Sequence, residues 1–119
     1  GNEVAIPGFV VSGDAPRKLL IRGVGPTLAS MGVSGTLANP VIALFDGNNT
    51  KLVENDDWHT AADQAALVAA TAQVGAFDLA AGSTDAAILA TVQPGAYTVK
   101  VSGVNGGTGV ALVEVYEVP

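Results

Sequence analysis

The chain has 119 residues, 49% of them apolar and only 13% charged; five Lys and Arg face eleven Asp and Glu, for a net charge of −6. That length suits one domain, residues 1–119, with a core of its own. Five cations make nucleic acid and anionic membrane poor partners, no run approaches the roughly 20 apolar residues of a spanning helix, and the lack of cysteine excludes disulfides, thiolate metal sites and thiol nucleophiles.

Residues 4–12 read as a strand in which Pro7 lacks a donor, favouring an edge or a bulge. Gly13-Asp14-Ala15-Pro16 turns the chain into a second strand, residues 17–24, centred on Leu19, Leu20 and Ile21. Gly25 and Pro26 end it, and Pro26 at a first helical position predicts one helical turn, closed by Gly32. Residues 41–45 and 51–54 flank Asp46-Gly47-Asn48-Asn49 as a hairpin. After the polar loop Asn55-Asp56-Asp57-Trp58, Thr60 and Asp63 have capping-box spacing, with Asp in place of Glu. Residues 61–74 are then predicted helix, with Leu67, Val68, Thr71 and Val74 as its apolar face.

Residues 86–92 form a strand apolar on both faces. Gln93-Pro94-Gly95 turns into residues 96–102, where Tyr97, Val99 and Val101 alternate with Thr98, Lys100 and Ser102. A glycine-rich turn leads to the last and longest predicted strand, residues 110–118. About seven to eight strands, one short helical insertion and spacings too short for parallel crossovers predict an all-β, antiparallel, jelly-roll-like sandwich.

Few residues offer chemistry. Gly23-Val24-Gly25 follows a strand, but Leu28 stands where a dinucleotide loop needs its third glycine. His59 is the one histidine, and no serine sits in a nucleophile elbow, so no catalytic residue is assigned and an enzyme is not expected. Asp46, Asp56 and Asp57 lie on one hairpin and its following loop, and Asp85 begins a later strand. Hard cations take several carboxylate oxygens, so these four are the candidate metal ligands, and calcium is the cation they would suit. The same residues also serve as turn formers and helix caps, which needs no ion. Asn48-Asn49-Thr50 matches a glycosylation acceptor on an exposed turn. Trp58 and Tyr116 are the aromatics a glycan would stack on if exposed.

Several segments resemble a repeat module of large secreted proteins of Verrucomicrobia and related bacteria: Pro7-Gly8-Phe9-Val10-Val11-Ser12-Gly13, Leu20-Ile21-Arg22-Gly23-Val24-Gly25-Pro26-Thr27-Leu28, Asn55-Asp56-Asp57-Trp58, Gln93-Pro94-Gly95-Ala96-Tyr97-Thr98 and residues 109–116. The resemblance spans nearly the whole chain and implies an exported, often tandem, non-catalytic module. The middle and end are also similar to bacterial pre-peptidase C-terminal domains, jelly-roll-like sandwiches of which some bind calcium or collagen; that similarity points to Asp46, Asp56 and Asp57, while the helix after Trp58 departs from it. Gly1 in place of Met fits a processed or excised chain.

These readings predict an extracellular or cell-surface structural module that associates with itself, as a tandem array, filament or surface layer. Strand addition is the expected route, with Val4, Ile6, Phe9 and Val11 of the first strand and Val110 and Leu112 of the last as contact residues. The alternative is an accessory module binding carbohydrate or matrix, stabilised by calcium.

Overall fold

A computed structural model describes residues 4–5, 8–61 and 63–119. Ile6, Pro7 and the side chain of Val4 lie outside the described residues, and with them the edge or bulge expected at Pro7 and the contacts expected of Val4 and Ile6. The strands are β1 (Val4–Ala5), β2 (Phe9–Val11), β3 (Arg17–Val24), β4 (Pro40–Asp46), β5 (Lys51–Asn55), β6 (Ala86–Val92), β7 (Gly95–Gly103) and β8 (Leu112–Val118). Two helices, α1 (Pro26–Ser30) and α2 (Gln64–Gln73), interrupt them.

The fold is an all-β antiparallel sandwich. One sheet runs β1-β7-β4-β5, with β2 also on β7; the other runs β6-β3-β8. Period-two alternation builds the space between them, because successive side chains leave a strand on opposite faces. Leu19, Ile21, Ile42, Leu44, Ile88, Val92, Tyr97, Val99 and Val101 meet there as the main core. Phe9 stacks on Tyr97 with ring centroids 5.8 Å apart, fixing β2 at the sheet's edge.

The outer face of the three-stranded sheet carries a second core. Leu20, Ala87 and Val118 pack there against Leu67 and Ala70 of α2 and against Trp58. So the two-faced apolar strand at residues 86–92 needs no neighbouring molecule: α2 of the same chain covers its second face.

Three local expectations change. α2 starts at Gln64, with the Asp63 carboxylate accepting from Ala66 N–H, while Thr60 belongs to a 3-10 turn and donates to Asp57 O. Val68 is 50% exposed and stands off the buried face. The last strand starts at Leu112, because Val110 makes an isolated parallel bridge to Thr36; β7, not β8, is the longest strand.

Candidate functional site

The polar residues of the sequence segments singled out above are mostly consumed in holding the fold. Asp85 is fully buried, and four donors saturate it. One carboxylate oxygen accepts from Gly25 N–H at 2.8 Å and Thr27 N–H at 3.2 Å; the other accepts from the hydroxyls of Thr27 and Ser83. A carboxylate thus ties the first turn of α1 to the start of β6, satisfying backbone donors that a helix start leaves open. Gly25 is required because the backbone of Leu37 runs beside it: a Cβ there would sit 2.0 Å from Leu37 O. Gly23 and Val24 are thus the last residues of β3, and Gly25 is the close-packed residue that follows it.

Arg22 is the second hub, fully buried on the outer face of the three-stranded sheet. Its Nε donates to Glu114 Oε1 at 2.9 Å, Nη1 donates to Phe77 O, and the guanidinium lies 4.4 Å from the Phe77 ring centroid. Tyr116 donates its hydroxyl to the other Glu114 oxygen. This hydrogen bond, then burial and the negative charge of Glu114, raise the Tyr116 pKa above its ordinary value, with Arg22 opposing.

Trp58 is 8% exposed, its indole N–H donating to Ala80 O and Ser83 Oγ. Tyr116 is half-buried in the second core, so neither ring is presented as a stacking platform. The acidic residues are not gathered either. Asp46 closes its own turn, accepting from Asn48 and Thr50 N–H, and Asp56 is exposed. Asp57 keeps one oxygen enclosed without a donor. Among the described residues, no three His, Asp or Glu side chains converge as a metal ion requires. His59 is exposed, its Nδ1 3.2 Å from Ser83 O.

What stays unpaired is a sheet edge. The N-terminal segment, expected to be offered to a neighbour, pairs within its own chain: Val4 and Ala5 with Val101 and Lys100, and Phe9 to Val11 with Tyr97 to Gly95. Phe9 and Val11 accordingly point into the core. β8 is one of the two outermost strands of the three-stranded sheet, β6 being the other, and its outer side has no strand beside it among the described residues. It runs in unbroken register with β3 over seven residue pairs, from Lys18↔Val118 to Val24↔Leu112. Leu112 and Val115 are each 39% exposed on its two faces, and Val110 just before it is 51% exposed. A groove of about 210 Å³ separates β8 from β2, lined by Phe9, Val10, Val11, Leu19 and Val115, with Arg17 and Glu117 also lining it. Val110 and Leu112 are legible in the sequence as apolar residues of a terminal strand. Val115 and Val10 are not, because only the sheet order shows that they flank an open seam.

No protein-family model, curated protein or solved structure matches the chain. Functional inference therefore rests on the residues themselves. Fully buried hubs such as Asp85 and Arg22 offer a ligand little, whereas a row of strand amides and carbonyls with exposed valine and leucine offers a second strand a great deal.

Proposed function

We propose that this chain is a non-catalytic structural module of an extracellular or cell-surface assembly, built by association with further copies of itself. The observation that carries it is the β8 edge: seven residues of regular strand with an outer side that no strand covers among the described residues, flanked by exposed Val10, Val110, Leu112 and Val115. An uncovered strand edge is a template for pairing, and apolar residues beside it add roughly 25 cal/mol per Å² when buried. Placement outside the cell rests on the likeness to secreted repeat modules.

Light scattering and negative-stain electron microscopy of the purified protein over a wide concentration range test it. Oligomers, arrays or filaments that grow with concentration are expected. A monodisperse monomer at the highest soluble concentration would overturn it.

A further inference from the structure

We propose that β8 pairs with β8 of a second copy, antiparallel, about a two-fold axis through Val115, joining the two three-stranded sheets into one continuous sheet. This rests on self-association as proposed above and adds the surface and the register.

The backbone of the sheet sets which groups of β8 face outward. Ala87 on β6 is paired in register with Arg22 on β3, yet Ala87 N–H donates to the Asn55 side chain, away from β3. In an antiparallel ladder both main-chain groups of a residue point to one side, and hydrogen-bonded and non-bonded pairs alternate. Arg22 therefore turns its main-chain groups toward its other partner, Glu114 of β8. Leu112, Glu114, Tyr116 and Val118 then bond to β3, while Val113, Val115 and Glu117 direct N–H and C=O to the open side. A dyad through Val115 makes Val115 a bonded pair with its own copy, and pairs Val113 with Glu117 twice. That gives about six main-chain hydrogen bonds, two for each bonded pair.

The side chains agree with this register. Val115 meets Val115, Leu112 meets Val118, and Glu114 meets Tyr116, so no carboxylate stands directly across from another. The diagonal approach of the two Glu114 side chains is neutralised by Arg22 in each copy, 2.9 Å away. Val115 and Val113 share the inner face, where Val113 packs on the main core. The incoming Val115 would lie on the same face, beside the groove lined by Phe9, Val11 and Leu19.

The other edges are blunted, which is how folded proteins avoid stray pairing. β5 is short, begins with Lys51 and pairs with β4 across a register shift at Leu44 and Phe45. On β6 the Asn55 carboxamide already takes the Ala87 N–H. The pairings of β1 and β2 with β7 are offset by one residue in register. β8 contains no Pro, Gly or Lys.

Val115→Pro tests the register. Proline removes a donor that faces the open side, leaves the bonds to β3 intact, and is tolerated at such edge positions. Circular dichroism and the melting temperature check folding, and Val115→Lys serves as a second variant that keeps the N–H. Sedimentation equilibrium should show the dimer dissociation constant raised about tenfold or more in both. Because the chain has no cysteine of its own, the Val115→Cys variant should cross-link to itself with a short thiol-reactive bridge, whereas Val68→Cys, exposed on α2, should not. If the wild-type protein is monomeric throughout, self-association and this site both fall. If it assembles, but the folded Pro and Lys variants assemble equally and the Val115→Cys variant does not cross-link, pairing through β8 is overturned while self-association stands.

Discussion

Asp85 shows how one buried carboxylate replaces a longer stretch of regular structure. It holds two backbone donors and two hydroxyls, from Gly25, Thr27 and Ser83. Asp85→Ala strands the Gly25 and Thr27 N–H groups in a site without solvent, at about 1–3 kcal/mol each, so a loss of about 3–5 kcal/mol is expected in urea unfolding with an unchanged slope. A loss under about 1 kcal/mol would show that the carboxylate is replaceable by water. Arg22 and Glu114 make a sharper test, because removing one member of a buried pair leaves an uncompensated charge. Glu114→Ala is expected to cost about 3–5 kcal/mol, whereas replacing both members with apolar residues of similar size should recover most of it; a double-mutant cycle measures the difference. Tyr116 adds a pH dependence. Its folded pKa is raised, so the unfolded chain loses the phenolic proton first as pH rises. Stability from this group is whole below about pH 10 and declines above it, as the pH passes from the unfolded toward the folded value. Tyr116→Phe should remove that alkaline component of the melting curve, and an unaltered curve would sever the link.

α2 illustrates what an element owes to its own sequence and what it owes to its setting. Asp63 caps its start, and Asp63→Ala should lower stability by about 1 kcal/mol. Leu67 is 2% exposed between α2 and the sheet, so Leu67→Ala should lower it by about 2–5 kcal/mol, while Val68→Ala, at a half-exposed position, should stay within about 0.5 kcal/mol. Reversal of that order in thermal or urea unfolding would mean the helix packs on its other face. The strands are legible in the sequence because period-two alternation and Gly- and Asn-rich turns are local: Tyr97, Val99 and Val101 fill the core as their spacing implies. Val68 departs from its expected place because Val and Leu side by side satisfy the helical period on either of two faces, and only the position of Trp58 and Leu20 selects one. The roles of Asp85 and Arg22 are not legible. Apart from Ser83, two residues before Asp85, their partners lie 55 to 60 and 92 residues away in sequence, and no local rule connects them. The same holds for β8, whose pattern is that of any half-buried strand until the sheet order leaves it outermost.

At the scale of the whole molecule, two terms oppose each other when copies meet. Each carries a net charge of −6, so approach is repulsive, and Glu114 and Glu117 lie on the proposed contact strand. Main-chain hydrogen bonds and buried valine and leucine work against that repulsion, and added salt does little to weaken either. Salt does screen the repulsion, because the screening length falls from about 10 Å at 0.1 M to about 3 Å at 1 M. The Arg17–Glu117 ion pair, at 3.6 Å and well exposed, is within one chain and contributes little either way. The assembled fraction at fixed protein concentration should therefore rise with salt, and sedimentation velocity at low and high sodium chloride measures it. Dissociation by salt would mean that ion pairs between unlike patches hold the copies together. Such patches would have to come from the five Lys and Arg residues, none of which lies on β8, and pairing through the Val115 dyad would then be the wrong contact.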